Sequence, residues 1–417
     1  MTKKKIKTMD KVRIGMVGLG QRGSVLLRTL LAIDAAEIVA VCDTYEDRRT
    51  AAVGVVEEKR SSTPRAYENY RELLEDPTVD LVFICSSWEV HIRQAIESMR
   101  AGKVTAVEVG GAYTLEECWE LVDAYEETGT PIMMLENCCY DRFELLSTAL
   151  VRRGMLGEIV HCHGAYSHDL REEILGGNVH RHYRLRNYLT RNCENYPTHE
   201  LGPIARLLGV NRGNRMTRLV SMASKARGLE AFERSDKNPD RSLIGTKFAQ
   251  GDIVSTMIAC EGGETITLTL DTTLPKYYSR EFTVRGTKGM TYQEANMVLI
   301  EGVHTDMHDT SVTSETLRKY LDNADGYASY LPDFWRNITD EARALGHGGM
   351  DYYMCSELIR CVREGRNMPI DVYDAAAWAA ITPLSEISIR TGEAVEIPDF
   401  TRGKYRERPL EDVVPLV

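Results

Sequence analysis

The stretch Val12-Arg-Ile-Gly-Met-Val17-Gly18-Leu-Gly20-Gln21-Arg22-Gly23 decides the fold. A six-residue run, apolar except for Arg13, leads into a Gly-x-Gly-x-x-Gly turn that opens a helical pattern. Asp43 ends a second apolar run 43 − 23 = 20 residues past the third glycine. In such a turn the glycines permit a tight bend and close approach of the backbone to a pyrophosphate, whose charge rests on the first amides of the helix. The acid at the end of the second strand holds the ribose 2′-hydroxyl. An anionic Asp43 repels a 2′-phosphate, so Gly18, Gly20, Gly23 and Asp43 are expected to bind NAD rather than NADP.

Working outward, apolar runs at 12–17, 37–42, 79–85, 104–109 and 132–136 alternate with longer amphipathic stretches. That rhythm is a parallel sheet whose faces are covered by helices. In the helix predicted over 115–125, Leu115, Cys118, Trp119 and Val122 share a face, and Thr114 with Glu117 forms a capping box. After about residue 140 the pattern changes to a helix at 143–153, a strand near 159–166 and an irregular basic segment at 171–191. Strands at 252–260, 265–270 and 281–285 then follow without full helices between them. Helices at 350–364 and 372–390 close the chain. The expected architecture is α/β: an N-terminal Rossmann doubly wound parallel sheet over 1–140, then a C-terminal α+β domain over 141–417 with a large open, mostly antiparallel sheet.

The 417 residues leave room for two to three domains at roughly 150 residues each. Apolar residues at 43% and charged residues at 27% exclude a disordered chain. The net charge of −11 repels phosphate backbones and anionic lipid, so neither nucleic acid nor a membrane is an expected partner. No run approaches the roughly 18 apolar residues a bilayer crossing needs. Ten scattered cysteines without a CxxC pair, and a basic start lacking an apolar signal core, lead to an expected cytoplasmic location.

Further strings carry a resemblance: Trp88-Glu-Val-His91, Glu108-Val109, Met-Met-Leu-Glu-Asn137, His168-Asp-Leu-Arg171, Tyr196-Pro-Thr-His199, Asn211-Arg-Gly-Asn214 and His347-Gly-Gly-Met-Asp351. Over nearly its whole length the chain resembles the glucose-fructose oxidoreductase and inositol dehydrogenase family, and within it the NAD-dependent glycosidases of glycoside hydrolase family 109, known first as α-N-acetylgalactosaminidases. Ordinary members of the wider family carry Glu-Lys-Pro after the fifth strand, where this chain reads Glu108-Val109-Gly110. The lysine that helps deprotonate a substrate hydroxyl is absent, as in the glycosidase branch. The chain departs from that branch at Gly110, where proline is usual, and at Asn195 and Glu200, where leucine and glycine flank the Tyr-Pro-Thr-His string.

The resemblance implies that Gln21, Arg22, Asp43, Trp88, His91, Glu108, Val109 and Asn137 line the NAD site, and that Tyr166, Arg184, Tyr196, Thr198, His199 and Tyr278 face a sugar. The implied reaction is a glycoside hydrolysis. Hydride leaves C3 for NAD, a base takes the acidified C2 proton, the C1 aglycone departs, water adds and the hydride returns. His199, near its ordinary pKa at neutral pH, is the expected proton-transfer group. Tyr196, three residues before it at a helix start, is a hydroxyl donor or second base, and Tyr140 is a third base candidate. Two other functions compete: a sugar or cyclitol dehydrogenase with net redox, and a non-catalytic sugar or NAD sensor. The histidines at 161, 163, 168, 180, 182 and 199 match no compact ligand signature, so no metal is expected. The expected partners are a small-molecule or glycan substrate and further copies of the chain, as a dimer or tetramer.

Overall fold

The computed structural model describes residues 10–304 and 313–416. The basic start at 1–9, part of the basis for the expected location, lies outside them. The chain divides into two compact units, Met1–Tyr140 with Asn337–Ala376, and Asp141–Arg336 with Ala377–Val417.

In the first unit, six parallel strands, β1 (Val12–Val17), β2 (Ala36–Cys42), β3 (Arg65–Tyr67), β4 (Leu81–Ile84), β5 (Val104–Val107) and β6 (Ile132–Met134), run in the order β3-β2-β1-β4-β5-β6. The order reverses between β1 and β4, the switch point at which such sheets open a crevice for a ligand. β4 is buried along its whole length, as covered faces require. β3 was not expected: three partly exposed residues, Arg-Ala-Tyr, at a sheet edge leave no apolar run to read. The helix Leu115–Thr128 starts on the expected capping box, Thr114 Oγ1 accepting from the Glu117 amide at 3.2 Å and Glu117 Oε2 from the Thr114 amide at 3.2 Å.

Relative to the expected boundary at 140–141, one later segment, Asn337–Ala376, falls in the first compact unit. The helix Met350–Glu364 forms at its expected bounds but packs in the first unit, against the helix Gln21–Leu31 and the turn Asn137–Tyr140. Its buried Met354, Leu358 and Val362 recur at helical spacing, a pattern that shows an apolar face without showing which unit receives it. The expected helix at 372–390 is two helices, Val372–Ala379 and Ile381–Thr391. Pro383 has no N–H to donate to the preceding turn, and the chain breaks at Ala380.

The second unit holds an eight-stranded sheet of β7 (Ile159–Ser167), β8 (Met216–Ala223), β9 (Ile253–Cys260), β10 (Thr265–Asp271), β11 (Thr283–Gly286), β12 (Gly289–Tyr292), β13 (Met297–Ile300) and β14 (Val395–Glu396), ordered β13-β12-β11-β7-β10-β9-β8-β14. β7 and β10 pair in parallel; the other described pairs are antiparallel. The helices Thr198–Leu207 and Ile381–Thr391 cover one face. A Cβ at Gly164 would lie 2.6 Å from the Glu200 carbonyl oxygen, so glycine there lets the first of these helices sit directly on β7. The segment 171–191 is not irregular: it folds into three short helices, Arg171–Leu175, Gly177–His180 and Arg184–Thr190, each too short to show a periodicity. All ten cysteines are free thiols.

Candidate active site

The first unit gathers the expected cofactor residues at the carboxyl ends of its strands. Gly18 follows β1 with φ +88°, and a Cβ on Gly23 would lie 2.0 Å from the Gly18 carbonyl oxygen, so side chains are excluded from both positions. Gly20 caps the helix Gln21–Leu31 with no side-chain hydrogen bond, and Gln21 is exposed at its start. Asp43 follows β2 and accepts from the Leu19 amide at 2.8 Å and the Tyr45 amide at 3.0 Å, which fixes its carboxylate beside the glycine turn. These residues fit a dinucleotide: a tight bend, helix amides without a side-chain cap, and an oriented acid.

Trp88 and His91 follow β4. The Trp88 indole donates to the Val109 carbonyl at 3.2 Å. Gly110 has φ +155°, and a Cβ there would lie 2.4 Å from the Trp88 ring. Proline, with φ near −65°, cannot adopt this backbone, so the departure at 110 goes with the close approach of Trp88. His91 is buried, and both ring nitrogens lack a hydrogen-bond partner among the described residues. Burial pushes its pKa down to about 4, leaving a neutral imidazole at a helix start.

A network around Arg22 was not legible in advance. Its guanidinium forks onto Asp351 at 2.6 and 2.9 Å and reaches Glu108 Oε1 at 3.1 Å. Asn137 Nδ2 donates to Asp351 at 2.8 Å, and His347 Nδ1 lies 2.9 Å from the same carboxylate. Burial pushes Asp351 up, but hydrogen bonds from His347 and Arg22 hold its carboxyl well below the usual range. Burial pushes Glu108 to about 7, against the pull of Arg22 and with the push of Asp351 and Glu136. Asp351 thus anchors Arg22 and Asn137, two expected cofactor residues, from a segment more than three hundred residues beyond the glycine turn. The His-Gly-Gly-Met-Asp string was visible; its role was not. Tyr140 ends the turn Asn137–Tyr140, fully buried, with its ring edge-on to Tyr353 at 5.6 Å.

The second unit brings the expected sugar residues into one cluster. The Tyr196 hydroxyl lies 3.2 Å from His199 Nε2 in a buried pair. The Tyr166 ring packs on Tyr196 at 4.5 Å and on His199 at 5.5 Å, and Tyr278 stands edge-on to Tyr166 at 6.4 Å. Arg184 is buried, its Cζ 4.9 Å over the Tyr196 ring and its Nε 2.8 Å from Glu173. Thr198 is buried, and its hydroxyl lacks a partner among the described residues. His168 and Glu173 belong to the cluster and were given no role in the sequence reading; the edge contact of His168 with Tyr278 at 5.2 Å comes from the fold.

At the helix start lie two buried carboxyls, Glu194 and Glu200, each with one oxygen on a backbone amide and the other without a hydrogen-bond partner among the described residues. Glu200 Oε2 accepts from the Thr269 amide at 2.9 Å. Burial pushes Glu194 to about 8 and Glu200 up as well, the latter further by its partner's charge. With raised folded values the native state binds more protons than the unfolded chain, so this pair's contribution falls as pH rises from about 4.5 through about 8, by at most about 1.4 kcal/mol per pH unit per proton. Glu200→Gln keeps an acceptor for Thr269 and is expected to flatten the fall in Tm between pH 5 and 9. Parallel Tm–pH curves for the two proteins would contradict a raised Glu200 carboxyl.

Residues 140–407 match the model of the glycosyl hydrolase 109 C-terminal domain, and residues 12–136 that of the oxidoreductase family, NAD-binding Rossmann fold. A glycosyl hydrolase family 109 protein of Stenotrophomonas maltophilia is 38% identical, over 95% of this chain and 91% of its own. An α-N-acetylgalactosaminidase of Tannerella forsythia is 35% identical, over 96% of this chain and 89% of its own. In fold, the chain is similar to levoglucosan dehydrogenase solved with NADH and levoglucosan, with a TM-score of 0.67 at 18% identity over 93% of this chain and all of the other. A dinucleotide turn in one unit, a Tyr–His pair among clustered aromatics in the other and relatives matched along nearly the whole chain lead to one assignment: the chain belongs to glycosyl hydrolase family 109, a glycosidase built on an NAD-binding oxidoreductase fold.

Proposed function

We propose that this chain hydrolyses N-acetylgalactosaminides or related hexosides by transient oxidation of the sugar, with NAD held and recycled rather than consumed. The observation that carries the reading is the buried Tyr196–His199 pair, 3.2 Å apart inside the aromatic cluster with Arg184. The name of the Tannerella forsythia relative supports the sugar. When bound, NAD would supply a reversible hydride acceptor at C3; with the hydroxyl proton lost to solvent, the resulting carbonyl would make the C2 proton acidic.

His199 takes the C2 proton, and the Tyr196 hydroxyl in contact with its Nε2 passes or returns it. Arg184, fixed between Glu173 and the Tyr196 ring, supplies donors for a sugar hydroxyl or an acetamido carbonyl. Thr198 offers a buried hydroxyl to the same ligand. Tyr166 forms an apolar wall for a sugar face. Asp43 beside the glycine turn favours NAD over NADP. The protein is expected to release nitrophenol from a nitrophenyl N-acetylgalactosaminide with no growth of absorbance at 340 nm. Stoichiometric NADH would instead assign a net dehydrogenase, and binding without turnover a sensor.

The outer face of the eight-stranded sheet opposes Val220 to Met257, both exposed, beside Met222, which is 76% exposed. A second copy of the chain is the proposed cover for this face. Light scattering is expected to give a dimer or tetramer that Met222→Glu with Met257→Glu lowers; a monomeric parent protein would contradict this. The ten free thiols support the cytoplasm as the site of action.

A further inference from the structure

Tyr278 stands 44% exposed at the edge of the aromatic cluster, on an irregular segment that follows β10. An exposed phenol on a loop ordinarily samples several positions. This one does not stand alone. Its hydroxyl accepts a hydrogen bond at 3.0 Å from Nη1 of Arg280, two residues on, and Arg280 is 5% exposed. The other nitrogens of that guanidinium are held in turn: Nε donates to Glu144 Oε1 at 2.7 Å, and Nη2 pairs with Asp141 Oδ2 at 3.0 Å. Glu144 is buried in the helix Arg142–Arg152, and Asp141 caps that helix by accepting from the Phe143 amide at 2.9 Å. Gln293 donates to Glu144 at 2.9 Å from the far side.

The guanidinium is planar, always charged and fixed at three nitrogens, so it transmits the rigidity of a buried helix start to an exposed hydroxyl. A hydroxyl that accepts from a cation is also polarised and makes a stronger bond to whatever it donates to. We propose that Arg280 is a positioning residue of the glycoside site, holding the Tyr278 hydroxyl in place to hydrogen-bond the bound sugar. Arg280 touches neither sugar nor cofactor; it acts through Tyr278. The inference rests on the reading that Tyr278 faces the substrate of a glycosidase. His168 and Tyr166 pack edge-on against Tyr278, and Arg280, held by Asp141 and Glu144, donates to its hydroxyl.

The test is a double-mutant cycle on the NAD-loaded protein, read as KM and kcat for a nitrophenyl N-acetylgalactosaminide. Turnover by the parent protein is required first, and its absence would sink the glycosidase reading rather than this one. Arg280→Lys keeps the charge but loses the fork, and is expected to raise KM about tenfold with kcat within threefold. Tyr278→Phe is expected to do the same. In the Tyr278→Phe background, Arg280→Lys is expected to change KM less than twofold. An equal effect in both backgrounds, or none in the parent, would overturn the proposal. Asp141→Asn covers a failure of Arg280→Lys to fold, because asparagine caps a helix as well as aspartate does and only the grip on Nη2 is weakened. It is expected to raise KM about threefold in the parent and not at all in the Tyr278→Phe background, and equal changes in both would again overturn the assignment.

Discussion

Replacing His199 with alanine is expected to lower kcat/KM for a nitrophenyl N-acetylgalactosaminide about a thousandfold while the protein retains its NAD. The size follows from the work assigned to the imidazole. A positioned acid or base contributes on the order of 10²–10⁴ in rate, and His199 is the group that takes the C2 proton in the proposed scheme. His199 is 8% exposed and reaches the Tyr196 hydroxyl at 3.2 Å, so the substitution removes both the base and its relay contact. The expected cofactor residues lie in the first unit and His199 in the second, so bound NAD, released by acid and read by absorbance, is expected to match the parent protein. A variant within threefold of the parent rate would remove His199 from the mechanism.

The second large effect is expected at the glycine turn. Gly23→Ala places a methyl 2.0 Å from the Gly18 carbonyl oxygen, a backbone atom with no flexible side chain to give way. Gly18 already sits at φ +88° and is itself packed 2.6 Å from the Cys85 carbonyl carbon, measured to its missing Cβ. The strain is therefore relieved by moving the start of the helix Gln21–Leu31 away from the turn, which carries off the amides meant for the pyrophosphate. Retained NAD is expected to fall below about a tenth of the parent amount, and hydrolysis at least a hundredfold. Gly54→Ala is the control. It lies inside the helix Glu46–Arg60 with nothing within 4 Å of the added methyl, and alanine there is expected to leave NAD binding unchanged and raise stability slightly. Equal NAD content in Gly23→Ala and the parent would contradict the assignment of the turn.

The dinucleotide turn of the first unit and the aromatic cluster of the second were legible to different depths. The dinucleotide turn reads from local chemistry, because a strand, three glycines and an acid at fixed spacing are all present in one short stretch. The pairing of Tyr196 with His199 follows likewise from a three-residue step at a helix start. Asp351 is the opposite case. It holds Arg22 and Asn137, yet nothing local distinguishes it from any acid on an amphipathic helix, and its segment returns to the first unit after nearly two hundred residues of the second. The edge strand β3 carries too little apolar sequence to signal itself. The split at Ala380 was readable from Pro383, since proline near the start of a helix marks a beginning rather than an interior. Arg280 and Glu200 are charged residues that pattern alone assigns to the surface, and partners distant in sequence make their burial possible.

The central claim is that the C–H bond at C2 breaks and re-forms during hydrolysis although no net redox occurs. Its most direct test is hydrolysis of a nitrophenyl N-acetylgalactosaminide in heavy water, with the released sugar examined by proton NMR and mass spectrometry. The expected result is one deuterium at C2 in the product, with the bound NAD in its oxidised form at the end. Product carrying its original C2 proton, at a normal rate of nitrophenol release, would contradict the mechanism.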